Sequence, residues 1–205
     1  MITHPRITIS RADADALPIS WNEGTVLARL ANAFDYWHNL CVPNVYLGAS
    51  RREMDLAVVT PARRLWCIEV KLSLADWKRD LAKPDYPPSV RPTRFYYAAP
   101  AALVKWTDDP ANHYRNCPII PDWIPSHAGI IWFTNERVVT TLENGHCQVI
   151  DFPQLTGRIR PAKSLHRQPI SERHYQELLH KLGNQYWRHC AEQDSPTPLH
   201  IELNP

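Results

Sequence analysis

The alternation of apolar and polar positions predicts two neighbouring β-strands in the first half of the chain. Residues 53–60 and 65–72 are rich in β-branched and aromatic side chains, and the segment 61–64 between them has the length of a hairpin connection. Because side chains of a strand alternate between its two faces, Glu69 and Lys71 are expected on one face and their apolar neighbours on the other. The pattern therefore predicts a hairpin with a charged pair on one surface.

Further periodic segments on both sides of this hairpin predict an α/β fold. Apolar residues recur at helical spacing in residues 20–39, and a shorter helical pattern follows the hairpin at 73–83. A strand that follows a crossover helix usually lies parallel to the strand before it, so we expect a mixed β-sheet flanked by helices, with an α-β-β-β-α-β core. The other predicted elements are strands at 44–48 and 94–99, a short helix at 100–106, strands at 127–133, 137–142 and 147–150, and a helix at 171–190.

The second half of the chain is less regular. Four prolines interrupt residues 107–127, which indicates a long connection of the kind that can form a rim or lid. Thr134-Asn135-Glu136 is predicted to join two strands of a C-terminal β-meander, and 151–170 is predicted to be an extended connector. The predicted organisation is a single domain over 1–205, with a core at about 20–106, a C-terminal extension at about 127–190 and a loose tail at 194–205.

Most of the eight tryptophans and eight tyrosines are expected in the core. Trp37 is predicted to continue the buried stripe of the first helix, and Trp66 is predicted to face inward. Trp123, in the proline-rich connection, is the candidate for stacking on an unpaired base. In the last helix, with Ser171 as its cap, the predicted core-facing residues are Tyr175, Leu178, Leu179, Leu182 and Tyr186.

Composition favours a protein of the cytoplasm. The five cysteines are odd in number and form no CxxC pair, so neither a disulfide framework nor a zinc ribbon is indicated. No stretch approaches the roughly 18 apolar residues of a membrane-spanning helix. The net charge of +2 is too small to indicate a nucleic-acid binder by itself. Local basic clusters are more informative, and the candidate DNA-binding residues among them are Arg52, Lys78, Arg79 and Lys83.

A possible metal site follows from the register of the predicted hairpin. If the turn closes with Thr60 opposite Arg64, Asp55 lies across from Glu69, with Cβ atoms roughly 4.5–5.5 Å apart. Two carboxylates at that distance repel each other, and a divalent cation such as Mg²⁺ or Mn²⁺ would remove the repulsion. Lys71 would then be a neighbouring cation that steadies the attacking water or offsets charge on a phosphoryl group.

Two alternatives stand beside this interpretation. Charged residues on the polar face of a hairpin commonly form an exposed salt bridge of about 0–1 kcal/mol, which has no chemical role. Glu23, at helical spacing from the apolar stripe of the first helix, is a candidate to complete or orient the site. Equally, Ser20-Trp21-Asn22-Glu23 matches a capping box, in which Glu23 would bond back to the Ser20 amide. Ser73 and Asp76 are expected to serve the next helix as cap and third residue.

The ordered set Asp55 and Glu69-Val70-Lys71 resembles the pattern of the PD-(D/E)XK phosphodiesterase superfamily, with Met54 where the pattern's name has proline. Residues 69–77, 83–86 and 94–100 are similar to its MmcB-like DNA-repair branch, and the resemblance covers about 20–104. It implies a restriction-endonuclease-like fold and metal-dependent cleavage of nucleic-acid phosphodiesters. The superfamily also contains members that bind without cutting.

The function predicted on these grounds is hydrolysis of DNA phosphodiester bonds in DNA repair, recombination or phage DNA metabolism. Asp55, Glu69 and the Val70 carbonyl would hold Mg²⁺ or Mn²⁺, Lys71 would assist the water, and Glu23 would support the site. RNA stays open as a substrate, a homodimer is possible, and no membrane partner is expected. The alternative is a DNA-binding or protein-interaction module that keeps the nuclease fold without cutting.

Overall fold

The chain folds as a mixed α/β structure in a computed structural model, which describes residues 7–9, 22–48, 50, 52–103, 105–107, 117–141 and 147–194. The predicted tail at 194–205 lies almost wholly outside these residues. In the part of the chain that is described, no helix is both long enough and apolar enough to cross a membrane.

The first half has the predicted order of helix, three strands, helix and strand. The amphipathic stripe of the first helix buries Val26, Leu27 and Leu30, and the second helix begins after a Ser73 cap whose hydroxyl accepts the Asp76 N–H at 3.1 Å. The elements are α1 (Glu23–Ala33), β2 (Leu40–Val45), β3 (Met54–Val59), β4 (Leu65–Val70), α2 (Leu74–Leu81) and β5 (Arg94–Pro100), with β1 (Ile7–Ile9) before them.

The described strands form a seven-stranded mixed sheet that includes two long strands from the second half of the chain, β8 (Gly129–Thr141) and β9 (Cys147–Arg160). The order of the strands is β1-β9-β8-β5-β4-β3-β2. Strands β2, β3 and β4 are antiparallel, whereas β5 runs parallel to β4 after the crossover through α2. The remaining elements are β6 (Lys105–Thr107), β7 (Cys117–Ile119) and α3 (Glu172–Asp194). The pair β6 and β7 forms a separate two-stranded ribbon.

The sheet buries an apolar cluster on each face. On one face α1 packs over Ile68, Val70 and their neighbours, as the alternation of β4 predicts. On the other face Leu65 and Cys67 of β4 pack with Trp77 of α2 and with Leu178 of α3. Glu69 continues the second face, so the charged residues of β4 point toward α2.

The C-terminal meander differs from the prediction. Thr134-Asn135-Glu136 is not a turn, because β8 continues through it and pairs with β9 from Ile130 to Thr141. Residues 151–160, predicted as part of a connector, belong to β9. The two long strands form an extended antiparallel ribbon with β-bulges near Ile130 and Trp132. Polar residues within a long ribbon imitate a turn signal, and only the cross-strand pairing decides between the two.

The boundaries of three other elements also differ from the prediction. Helix α1 ends at Ala33, so Trp37 lies in the following turns with 79 % of its surface exposed, and its predicted burial is wrong. Strand β2 is Leu40–Val45 and not the predicted 44–48. It includes Pro43, which is tolerated because β2 is an edge strand. The short helix predicted at 100–106 is a 3₁₀ turn at Ala101–Leu103 followed by β6.

The last helix is capped as predicted, with the Ser171 hydroxyl accepting the His174 N–H at 3.3 Å. Leu178 is fully buried, and Tyr175 and Leu182 pack against the core. Leu179 and Tyr186 are exposed, which corrects the predicted stripe. The apolar face of this helix is therefore narrower than its spacing suggests.

Candidate active site

The hairpin has the predicted register. Leu56 pairs with Ile68, and the Thr60 N–H donates to the Arg64 carbonyl at 3.1 Å, so the turn closes as expected. The same register places Asp55 opposite Glu69 at the end of the ladder. Beyond that pair β4 leaves β3, and the Lys71 N–H donates instead to the Ala98 carbonyl of β5 at 2.9 Å.

Glu69 is a fully buried carboxylate with a polar contact at each oxygen. Its Oε1 accepts the Tyr86 hydroxyl at 2.7 Å and lies 3.9 Å from Arg52 Nε. Its Oε2 lies 3.1 Å from the Lys71 ammonium. With Glu69 0 % exposed and Lys71 2 % exposed, this is not the surface salt bridge considered as an alternative.

Lys71 is the centre of the cluster. Its ammonium lies 3.1 Å from Glu69, 3.2 Å from Asp80 and 3.9 Å from Asp55. Burial by itself would lower the pKa of Lys71, but the three carboxylates, led by Glu69, outweigh it and raise the pKa above its ordinary value. The neighbouring carboxylates therefore favour the protonated, cationic form of Lys71.

Asp55 lies closer to solvent, with 20 % of its side chain exposed. Its Oδ2 accepts the Val70 N–H at 2.7 Å, which fixes the carboxylate beside the end of β4. Burial raises the pKa of Asp55 to about 6, against the opposing effects of Lys71 and this hydrogen bond. Burial, and then the neighbouring Asp55, raises the pKa of Glu69 to about 7. The two carboxylates thus carry an unfavourable negative charge that Lys71 does not fully offset.

Asp80 of α2 is a buried member of the cluster that the sequence analysis missed. It is 1 % exposed and contacts Arg52, Lys71 and the Lys83 ammonium at 2.6, 3.2 and 3.0 Å. The Tyr97 hydroxyl also donates to it at 3.2 Å. The available signal was its spacing, because Asp80 follows the buried Trp77 by three positions and so shares its helix face.

Arg52 was predicted to bind DNA from the surface, and this prediction needs correction. The guanidinium is buried, donates to Asp80 at 2.6 Å and lies over the Tyr86 ring, 4.9 Å from its centroid. A charged side chain next to a turn is usually exposed, but here a buried carboxylate and an aromatic ring hold it inside. Arg52 is a structural partner of the carboxylates rather than an exposed cation.

The other predicted DNA-binding residues lie on or just after α2, at the surface. Lys78 and Arg79 are exposed, and Arg79 lies 3.6 Å from Asp76 of the same helix. Lys83 is half-exposed and forms an ion pair with Asp80 at 3.0 Å. Their role in DNA binding stays a prediction.

Glu23 is exposed at the first position of α1, where Asn22 is the cap and accepts the Thr25 N–H at 3.2 Å. The capping-box interpretation is therefore wrong, because it needed Glu23 at the third position; its Ser20 lies outside the described residues. Glu23 is near enough to Asp55 to contribute to raising its pKa. Its position is compatible with a supporting role at the site.

The donor set suits a hard divalent cation of low protein coordination. Among the described residues, no group of three or more His, Cys, Asp or Glu side chains is arranged to hold a metal ion. Mg²⁺ needs fewer, since one or two carboxylates with water and substrate phosphate complete its shell. Asp55 and Glu69 offer two carboxylates whose raised pKa values a divalent charge would lower.

Trp123 is less available for base stacking than predicted. It is half-buried, and its ring meets the buried Trp77 edge-on at 5.3 Å between centroids. Such an aromatic contact fixes the ring against α2. The prediction that it stacks on a base is not supported by this packing.

One family model matches the half of the chain that carries the site, and one solved structure is similar over most of the chain. A family model described as DNA repair protein MmcB-like matches residues 22–105, a range that holds α1 to β5 and all of the candidate residues. No curated protein matches the chain. A solved structure, titled SPO1766 protein of unknown function from Silicibacter pomeroyi, is similar over 90 % of this chain and 99 % of its own, with a TM-score of 0.51 and 17 % identity. That likeness concerns the fold.

Proposed function

We propose that this protein is a metal-dependent nuclease that hydrolyses DNA phosphodiester bonds, with a role in DNA repair. The observation that carries the proposal is the convergence of Asp55, Glu69 and Lys71 where β3 and β4 diverge. Two carboxylates with raised pKa values and a neighbouring ammonium group suit phosphoryl chemistry. The match to the MmcB-like model over 22–105 supports the association with DNA repair.

The topology supports a restriction-endonuclease-like core. A helix, three antiparallel strands, a crossover helix and a parallel strand follow each other, and the acidic residues lie on β3 and β4. This is the order that the resemblance to the PD-(D/E)XK superfamily implies. The proposed core therefore comprises α1 to β5, with the β8–β9 ribbon and α3 attached to it.

In the proposed mechanism Asp55 and Glu69, with the Val70 carbonyl, would hold Mg²⁺ or Mn²⁺. Such an ion lowers the pKa of water and draws charge from the phosphoryl oxygens. Lys71 donates hydrogen bonds and orients the attacking water or stabilises the negative charge that develops on the phosphate.

A non-catalytic DNA-binding module is the second candidate, and one observation favours it. Both oxygens of Glu69 already have protein partners, Tyr86 at 2.7 Å and Lys71 at 3.1 Å. An ion would have to displace or share these contacts. If the cluster only balances buried charge, the fold could bind DNA without cutting it.

The test is cleavage of labelled single-stranded, duplex and branched DNA with Mg²⁺ or Mn²⁺, comparing wild type with Asp55→Asn and Lys71→Met. Asparagine keeps an acceptor for the Val70 N–H. Methionine keeps the unbranched lysine side chain as far as Cε and lacks only the terminal ammonium, so both variants preserve much of the packing. We expect each to reduce the rate by at least about 10²-fold, the effect of losing one electrostatic partner of the transition state. Arg173→Gln on the exposed face of α3 is the matched control and should cut normally.

Cleavage and DNA binding, measured on the same proteins, separate the two candidate functions. Metal-dependent cleavage that both variants abolish would establish the nuclease. DNA binding without cleavage by any metal would establish the binding module instead. Cleavage that survives in Asp55→Asn and Lys71→Met would show that the activity does not belong to this site.

A further inference from the structure

A pocket of about 160 Å³ adjoins the charged cluster on the α2 side of the sheet. Its walls come from the end of α2, from β5 and from two segments of the C-terminal half, around Pro125 and Leu165. Arg52, Asp80 and Tyr86 line it and also contact the site residues Glu69 or Lys71. The pocket and the candidate active site are therefore neighbouring compartments with shared walls.

The far wall of the pocket is fixed by hydrogen bonds to backbone carbonyls. Arg160 of β9 donates to the Ala128 and Pro125 carbonyls at 2.8 and 2.9 Å. The Lys163 N–H donates to the His127 carbonyl at 3.0 Å, and the Leu165 N–H to the Thr93 carbonyl at 2.9 Å. These contacts hold the wall against β5 without a ligand, as in most preformed small-molecule sites.

The interior and the rim differ in chemistry. Inside, aromatic rings of Tyr86, Phe95 and Tyr97 line the pocket, and the Arg52 guanidinium lies over Phe95 at 5.5 Å from its centroid. At the rim, the cations Arg91 and Lys83 lie with one exposed carboxylate, Asp85, and the Lys83 ammonium is 3.0 Å from Asp80. The interior thus favours a flat ring with polar edges, and the exposed Arg91 favours an anionic group.

We infer that this pocket binds one unpaired nucleotide of the DNA strand, with the base among the aromatic rings and a phosphate at Arg91 and Lys83. A cavity of about 150 Å³ admits a benzene ring, so the pocket is of a size for one base and not for a stacked pair. This inference rests on the proposed function for the nature of the ligand. It implies that single-stranded or frayed DNA is preferred over continuous duplex, because a paired base cannot enter the pocket.

The experiment measures binding of labelled single-stranded DNA and of a blunt duplex of equal length by anisotropy, in EDTA so that no cleavage occurs. Unlabelled dAMP and dTMP are added as competitors to separate a free nucleotide from one within a strand. Arg91→Gln removes an exposed cation, and Leu165→Trp fills the pocket from its half-buried wall. Arg173→Gln and Leu179→Trp, both exposed on α3, control for the lost charge and the added ring.

We expect single-strand affinity to fall about tenfold in Arg91→Gln, the scale of one charged hydrogen bond. Leu165→Trp should lose at least about tenfold, the lower part of the range for one stacked base. Circular dichroism and thermal melting check that Leu165→Trp is folded, and Arg91→Gln tests the pocket from an exposed position if it is not. The controls should bind like wild type.

Equal affinity for single strand and duplex, or unchanged single-strand affinity in Arg91→Gln and a folded Leu165→Trp, would overturn the pocket inference. These results do not depend on metal or turnover. A protein that cuts DNA but shows no effect of the pocket variants would keep the nuclease proposal and lose this one. Binding that depends on the pocket without any cleavage would do the reverse.

Discussion

The two faces of strand β4 are both buried, one by apolar side chains and the other by charged side chains. Ile68 and Val70 point toward α1 and belong to an apolar cluster, whereas Glu69 and Lys71 point toward α2 and are as deeply buried. The apolar face shows that hydrocarbon side chains suffice to cover this sheet. Buried charges cost desolvation free energy that pairing often does no more than offset. Stability alone therefore does not account for the charged face, and the proposed catalytic role would.

The largest expected effect is a contrast between two neighbouring residues of β4, one of which should affect activity and the other stability. Glu69→Gln should reduce metal-dependent cleavage by about 10²–10³-fold, because the site loses one of its two carboxylates. Ile68→Val, on the opposite face, should leave cleavage unchanged and cost about 0.5–1.5 kcal/mol of unfolding free energy. Cleavage rates and urea unfolding of both variants measure this.

Equal losses of activity in the Glu69 and Ile68 variants would contradict the division between the two faces. The contrast would also fail if Glu69→Gln bound Mg²⁺ as tightly as wild type. Tyr86 can still donate to the glutamine oxygen, so loss of that hydrogen bond does not confuse the result.

The second effect concerns Asp80, which holds the charged face together. Asp80→Ala should cost about 3–5 kcal/mol of unfolding free energy, because it removes a buried carboxylate that Arg52 and Lys71 both contact and leaves them only Glu69 to share. Lys83→Ala removes the half-exposed partner of the same carboxylate and should cost less than about 1 kcal/mol. Chemical denaturation of the two variants gives the comparison, and similar values for both would show that Asp80 is not a buried hub.

The third effect uses pH. Burial raises the pKa of Asp55 from 3.8 to about 6, so the folded state binds a proton more readily than the unfolded chain. Its favourable contribution is complete below the unfolded value and is lost as the pH rises through about 6. Asp55→Asn has no carboxylate to titrate at this position, so it does not lose this stability. Its free energy of unfolding in EDTA, relative to wild type, should rise by about 1–3 kcal/mol between pH 3.8 and about pH 6.

Thermal melting of wild type and Asp55→Asn across this pH range, with and without Mg²⁺, checks the sign. Mg²⁺ should raise the melting temperature of wild type above pH 6 and leave Asp55→Asn unchanged. A stability difference that stays constant with pH would mean that Asp55 keeps its ordinary pKa. Glu69 titrates in both proteins, although its pKa should fall once the neighbouring charge is removed.

The hairpin and its charged pair could be predicted because they depend on local pattern. Alternation in β3 and β4 sets the faces, and the short turn sets the register, so Asp55 and Glu69 could be paired from the sequence. The restriction-endonuclease-like classification and the catalytic roles of these residues stay predictions.

Asp80 and the burial of Arg52 depend on how α2 docks on the sheet. Spacing puts Asp80 on the same face of α2 as Trp77, but the sequence of a helix with charges at several positions does not show that this face docks on the sheet. The continuous β8–β9 ribbon was missed for a related reason. Its register is set by pairing between distant segments, and Thr134-Asn135-Glu136 has the composition of a turn.

The smallest expected effect contrasts the buried and exposed charges of α2. Lys78 and Arg79 are exposed, so if they contact DNA phosphates they add affinity that depends on salt. Replacing both with glutamine should lower the slope of log affinity against log salt by up to about 1.8 on duplex DNA, or about 0.9 for each contact. Folding should be unaffected. Fluorescence anisotropy over a salt series, with Arg173→Gln as control, measures the slopes. An unchanged slope would show that the exposed face of α2 does not bind DNA. The proposed role of the buried cluster beneath it would not be affected.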